Sequence, residues 1–268
     1  MKNNHITITI ADTTCRIFSE NNEFLEFFKD HFRYFISEKK EDFSLYIQVS
    51  KKSAQKNPDP YIDVQLHEFK ISITDIKGSF FLSEKKGKFK IFGDFFNLIP
   101  VLKFCYSIVL LQKDYLSLHA CLVEKKNKGI VFCGKSGSGK STIAKLSSGS
   151  LCDEYILIKK IKNDIILYST PLSQSMKCRK KILNLEKLFF IKKSDKNSIT
   201  KMSNKNAWIE IMKNENLFRM GFYSDNPGLK IKIISLLLKI FRDFKFYQLE
   251  FKKDKTFWEN IYKLEKLE

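Results

Sequence analysis

Eight consecutive residues, Gly134-Lys-Ser-Gly-Ser-Gly-Lys-Ser141, constrain this chain more than any others. They read G-x-x-x-x-G-K-S, the P-loop pattern. The apolar run Gly129–Cys133 before them has the character of a strand, and Thr142–Leu146 after them that of a helix. A phosphate cradle needs that strand–loop–helix setting, because the loop's backbone N–H groups must converge on one anion. Gly134, Gly137 and Gly139 supply backbone freedom and close approach. Lys135, Ser136, Ser138 and Thr142 complete the expected nucleotide-binding set. Lys140 is expected to reach the β- and γ-phosphates and Ser141 to hold Mg²⁺. The opening of the following helix offers further N–H groups to the same charge.

The rest of the chain is long enough to carry such a site on a real core. Its 268 residues are 43% hydrophobic, with 25 phenylalanines spread throughout. That argues for one large domain or two small ones and against disorder. The most apolar stretch, Phe95–Gln112, is broken by Pro100 and Lys103, so no membrane span is expected. The first residues run straight into a strand-like pattern without an apolar leader segment, which points to the cytoplasm. Six cysteines form no C-x-x-C pair and sit mostly in apolar runs, as buried free thiols do. The net charge of +18 comes mainly from scattered lysines, with few aromatic–basic stretches of the kind that read bases. It therefore reads as a lysine-rich bias, and nucleic acid is not the expected partner. Binding through this charge remains a third reading, testable by its salt sensitivity.

Periodicity divides the chain into alternating elements. Residues 5–18 read as one strand, Glu23–Ser37 as a helix capped by Asn21 or Asn22, and Phe43–Ser50 as a strand. A loop over Lys51–Pro60 leads into short strands at Tyr61–Leu66, Lys70–Asp75, Ser79–Ser83 and Lys88–Gly93, with turns at Gly78 and Gly87. An apolar helix over 95–116 is expected to pack under the nucleotide-binding part. This gives an N-terminal α+β lobe at 1–94 and a P-loop domain at 95–268. Within the latter, Leu116–Val123, Gly129–Cys133, Leu151–Ile158, Ile165–Ser169, Leu185–Lys192 and Phe246–Phe251 read as strands. Lys140–Ser148, Asn204–Lys213, Gly228–Phe241 and Lys255–Leu264 read as helices.

Asp153 follows Lys140 by 13 positions, room for a short crossover helix and a return strand. A right-handed crossover makes that strand parallel to the one feeding the loop, so Asp153 should emerge beside the phosphates. A carboxylate there can hold Mg²⁺ or accept a proton from an attacking hydroxyl. Glu154 points to the other face unless the backbone breaks there. His119, 21 positions before Lys140, is the third candidate and reads as mid-strand. His31 reads as a partly buried core or surface residue rather than a ligand, and His67 has no partner pattern.

Three segments, His119-Ala-Cys-Leu-Val123, Gly134–Ser141 and Leu151-Cys-Asp-Glu-Tyr155, resemble the catalytic half of the HPr kinase/phosphorylase-related family. The hairpin ending in Ser169-Thr-Pro171 and the strand Tyr247–Phe251 leading to Trp258 are similar more loosely. The resemblance covers about residues 115–260. It implies an α/β (α+β overall) fold with a P-loop on a phosphoenolpyruvate-carboxykinase-like mixed sheet. It also implies roles for His119 and for an acidic pair, here Asp153-Glu154. The Gly-rich signature that follows the acidic pair in true HPr kinases is not visible, and residues 172–182 occupy its place. The resemblance therefore does not extend to HPr as acceptor or to the reverse phosphorylase reaction.

The expected activity is ATP- and Mg²⁺-dependent phosphoryl transfer to a hydroxyl of a protein, peptide or small molecule. Lys140, Asp153 and His119 are the catalytic candidates; Ser141, Asp153 and Glu154 are the metal candidates. Lys177 or Arg179 is a further candidate for neutralising the transferred group. The alternative is a nucleotide-binding accessory or sensor protein without transfer. Homo-oligomerisation, and the choice among ATP, GTP and pyrophosphate, are left open by the sequence.

Overall fold

Two runs of strands organise the molecule, and each builds its own mixed sheet. The computed structural model describes residues 4–51, 60–64, 67–174, 176–214 and 227–267. The expected loop at 51–60, and the end of the strand expected at Tyr61–Leu66, lie largely or partly outside these residues. The chain divides into two units. One takes Met1–Tyr115, Pro171–Cys178 and Arg219–Ser235; the other takes Leu116–Thr170, Arg179–Phe218 and Leu236–Glu268. The division thus falls at 115/116 rather than at the expected 94/95.

In the first unit the strands are β1 (His5–Ile10), β2 (Thr13–Phe18), β3 (Phe43–Ser50), β4 (Tyr61–Val64), β5 (Glu68–Ile73), β6 (Ile76–Phe81) and β7 (Lys86–Phe92). They form a sheet in the order β1-β2-β3-β7-β6-β5-β4. The single strand expected over 5–18 is a hairpin, turned at Ala11 with φ +52°. A non-glycine residue there costs about 1 kcal/mol, so nothing in the residue types advertised the turn. Gly78 and Gly87, expected in turns, lie inside β6 and β7. A Cβ on Gly78 would stand 2.6 Å from the Phe89 ring, so this glycine answers a close approach, not a reversal.

Helix α1 (Asn22–His31) is capped by the Asn21 side chain, which accepts from Phe24 N–H at 3.0 Å. It stops short of the expected Ser37, because the chain beyond it turns to pair with β1. Thr9 N–H donates to Phe35 O at 2.9 Å and Ser37 N–H to Thr7 O at 3.0 Å. Phe24, Phe28, Phe32 and Phe35 are buried beneath, each worth roughly 1.5–3 kcal/mol relative to exposure. Helix α2 (Leu98–Leu111) belongs to this unit, contrary to the expectation that it underlies the nucleotide-binding part. Its Tyr106 hydroxyl donates to Ile8 O at 3.1 Å, and its Phe104 stacks on Phe69 at 4.6 Å.

The second unit holds β8 (Leu116–Leu118), β9 (Ala120–Lys125), β10 (Lys128–Cys133), β11 (Ser150–Cys152), β12 (Ile156–Ile161), β13 (Asp164–Ser169), β14 (Ile182–Lys193), β15 (Ser198–Lys201) and β16 (Phe246–Phe251). The order is β11-β9-β10-β14-β13-β12-β8, with β16 on β14 and β15 on β16. Helices α3 (Lys140–Leu146), α4 (Asn204–Met212), α5 (Pro227–Phe241) and α6 (Phe257–Leu267) accompany them, α5 spanning the division between the units. A shared core of Phe132, Ile143, Phe189, Leu249, Phe257 and Ile261 locks α3 and α6 onto β10, β14 and β16. Phe132 stacks on Phe189 at 5.4 Å. No helix among the described residues is long and apolar enough to cross a membrane.

Candidate functional site

The candidate site begins where β10 ends. Ile130 to Cys133 are buried, held between antiparallel β9 and parallel β14, so the last strand residue is fixed on both edges. The chain then enters the glycine-rich loop. Gly137 has φ +75° and Gly139 φ +116°, and a Cβ on Gly139 would also sit 3.0 Å from the Phe251 ring. L-residues avoid both conformations. The loop path therefore depends on glycine at these positions.

Lys140 opens α3, yet its side chain turns back into the loop. Its ammonium donates to Gly134 O at 2.7 Å and Lys135 O at 3.0 Å, and the residue is only 5% exposed. Burying an ammonium is costly unless carbonyl dipoles replace its water, and here two do. The Ser138 hydroxyl is buried without a hydrogen-bond partner among the described residues. Buried polar atoms are rarely left so, and an unmet hydroxyl often marks the place of a missing ligand. Ser141 is exposed and Thr142 half-buried at the start of α3.

The strand register sets Asp153 beside this loop. β11 is antiparallel to β9, and β9 to β10, so β11 runs the same way as β10 with β9 between them. Cys152 is level with Leu122, and Leu122 with Val131. Asp153 thus leaves the sheet at the end where β10 delivers Gly134. The strand expected over Leu151–Ile158 is broken at 153–155, where the chain passes from β11 to β12. Asp153 is 3% exposed and Glu154 half-buried in that break. Burial pushes the Cys121 thiol well up; Cys152 and Asp153 raise it further, and Lys140 opposes them. One buried sulfur on the intervening strand therefore feels both the carboxylate and the ammonium. Burial likewise pushes Cys133 up to about 12, again opposed by Lys140. All six cysteines are buried free thiols, as expected.

His119 is not mid-strand. It is the junction at which the chain leaves β8, paired with β12, and enters β9, paired with β10 and β11. Asn214 closes that junction: His119 N–H donates to its Oδ1 at 2.8 Å, and its Nδ2 donates to His119 O at 3.1 Å. His119 precedes Ala120, which is level with Cys133, so it stands at the entrance to the loop. Sequence reasoning passed over Asn214, because an asparagine just past a helix looks like an ordinary helix end.

Of the two basic candidates downstream, Lys177 is the ion-pair partner of Asp30 on α1. Arg179 is exposed and contributes its carbonyl to Ser169 Oγ at 2.6 Å. They lie in different units. Among the described residues no cluster of three His, Cys, Asp or Glu could hold a metal alone. Magnesium usually takes one or two protein carboxylates and completes its shell with waters and substrate phosphates. Ser141 and Asp153 fit that partial role, and the unmet Ser138 hydroxyl and carbonyl-bound Lys140 fit an anion in the loop.

No family model matches the chain, and no curated protein matches it. Among solved structures, an HPr(Ser) kinase/phosphatase from Coxiella burnetii is 15% identical, over 32% of this chain and 70% of that one, with a TM-score of 0.25. At that score the likeness carries no argument about fold or activity.

Proposed function

We propose that the second unit is an ATP- and Mg²⁺-dependent phosphotransferase acting on a hydroxyl of a protein, peptide or small molecule. The observation that carries this reading is the buried Lys140 ammonium inside the glycine loop, on the sheet end at which Asp153 emerges. The loop N–H groups and the Ser138 hydroxyl would surround the terminal phosphates. Lys140 would exchange its carbonyl partners for phosphate oxygens, so its ammonium has little water left to shed when the anion arrives. Ser141 and Asp153, with Glu154 assisting, would hold Mg²⁺, which when bound neutralises charge on the β- and γ-oxygens. Asp153 or His119 would accept the proton of the attacking hydroxyl. Phosphoryl transfer asks little else of a protein beyond positioning and charge stabilisation. A phosphoenolpyruvate-carboxykinase-like arrangement and a cytoplasmic setting belong to the same proposal.

The test is transfer of labelled γ-phosphate to candidate hydroxyl acceptors by the parent, Lys140→Ala and Asp153→Asn. Label transfer lost in both variants supports the proposal. Tight binding of Mg·ATP with no transfer, unchanged in Asp153→Asn, would mean a nucleotide sensor instead. If Lys140→Ala binds Mg·ATP as the parent does, the site assignment is wrong.

A further inference from the structure

One face of the first unit's sheet is left outside its core. Helices α1 and α2 contact β1 and β2, and the strands send their apolar residues to one side: Ile17, Leu45, Ile47, Phe89 and Ile91 are buried. The other side carries a different set. His5, Phe18 and Tyr46 are cross-strand neighbours on β1, β2 and β3. Phe18 and Tyr46 stack at 4.9 Å with ring planes 10° apart, and His5 lies 5.5 Å from Phe18. Tyr46 is 42% exposed. The row continues through Lys88 on β7 and Ser79 on β6. The next row is Gln48, Lys90 and Lys77. A groove of about 980 Å³ runs over Phe18, Tyr46, Gln48, Lys77, Lys88 and Lys90 with Glu20 as its carboxylate, and Lys86 lines the adjoining hollow with Glu84.

Carboxylates on this face, Glu68 and Asp63, stand farther along it beside Lys70. Among the described residues Lys77, Lys86, Lys88 and Lys90 have no ion-pair partner, while nearby Lys70 is paired with Glu68 at 2.8 Å. Lys90 places its ammonium 5.1 Å over the Phe92 ring. Four lysines on adjacent strands repel one another, a cost tolerable on an open face and reversed when an anion arrives. Alternate lysines of one strand stand about 7 Å apart and neighbouring strands about 5 Å, spacings that suit successive phosphates of an extended backbone.

We infer that this face binds single-stranded nucleic acid, with a base stacked against Tyr46 and phosphates held by Lys77, Lys86, Lys88 and Lys90. Aromatic rings beside a basic track are what an unpaired strand requires, since every base has a π-face and every linkage a charge. A lipid surface would ask for projecting aliphatic side chains, where this face offers Gln48, Ser79 and tyrosine. An acidic peptide would use the lysines and leave the ring stack without a purpose. The site is independent of the phosphotransferase reading.

The experiment titrates labelled oligo-dT and oligo-U, each about twenty nucleotides, with the full chain at several KCl concentrations. Tyr46→Ala should weaken binding about tenfold and Lys77→Glu/Lys88→Glu by more, while Tyr46→Trp retains it. Lys201→Glu/Lys205→Glu, the same charge change on β15 and α4 of the other unit, should leave binding within about twofold. Parallel loss from both double variants would overturn the inference, since the effect would then be net charge alone. So would duplex DNA binding as tightly as the single strands, anionic vesicles binding where oligonucleotides do not, or no binding at 50 mM KCl. A difference between oligo-dT and oligo-U distinguishes DNA from RNA within the proposal.

Discussion

The two proposed phosphate sites, the glycine loop and the exposed sheet face of the first unit, would work by opposite means. The loop would use backbone and one buried cation, Lys140, whose ammonium rests on two carbonyls. The face uses long side chains on a regular lattice and leaves its cations in water. A buried cation interacts at low effective dielectric and is little screened; exposed lysines interact weakly one by one and lose most of that to salt. The first arrangement suits one phosphate group held in one place, and the second a long strand held loosely.

The largest effect expected from this contrast comes from Lys140→Ala. Two charge-assisted bonds worth about 1.5–3 kcal/mol each are lost from the phosphate complex. Affinity for Mg·ATP should fall at least about a hundredfold and transfer by about a thousandfold or more. Isothermal titration and single-turnover transfer measure the two. Neutralising Lys88 alone on the sheet face should cost only a few-fold, because its neighbours share the phosphates. Equal sensitivity to the two substitutions would erase the distinction.

Salt separates the regions next. With about four phosphates contacted on the face, raising salt from 50 to 200 mM should weaken single-strand binding about fiftyfold. Mg·ATP binding in the loop should change by less than about threefold over the same range. Fluorescence anisotropy on one preparation reads both, and a steep slope for Mg·ATP would show that the loop's cation is not shielded as described.

These sites were unequally visible in the sequence. Gly134–Ser141 is contiguous, so the motif, the strand before it and the helix after it could be read directly, as could β14, β16 and α5. The breaks at His119 and at 153–155 could not. Leu116–Val123 and Leu151–Ile158 carry no glycine or proline to mark a break, and only the exchange of partner strands shows where each divides. The direction in which Asp153 leaves the sheet followed from the crossover rule. The clamp by Asn214 followed from nothing local, since 95 residues separate it from His119. The sheet face was hidden for a related reason. Phe18, Tyr46 and Lys88 come from three strands far apart in sequence, so the aromatic–basic surface exists only in the register.

Asn214 gives the third prediction, on how rigidly the loop must be held. Asn214→Ala leaves an N–H and a carbonyl of His119 without their partner, at about 2–3 kcal/mol. Urea denaturation should show that loss, and phosphoryl transfer should fall while oligonucleotide binding stays unchanged. Asn214→Asp keeps the acceptor and loses the donor, so it should cost less. Loss of both bindings in the alanine variant would mean that the two regions do not answer separately.

The smallest effect is a pH dependence confined to the first unit. His31 on α1 is buried and its Nε2–H donates to Ser173 O at 3.0 Å, which ties Pro171–Cys178 to the helix. Burial lowers its pKa. The carbonyls of Ser173 and Pro171 oppose that, Lys177 lowers it further, and Asp30 raises it. A base with a depressed folded-state pKa takes up its proton more readily when unfolded. The stability His31 contributes is therefore complete above the unfolded value, about 6.5, and shrinks as pH falls through that value toward the folded one. Thermal melts between pH 7.5 and 5.5 should show a decline that is shallower in His31→Gln, which keeps a donor and does not titrate. A decline of equal steepness in His31→Gln would assign the acid sensitivity to other groups and leave the tie between α1 and Ser173 without a role in it.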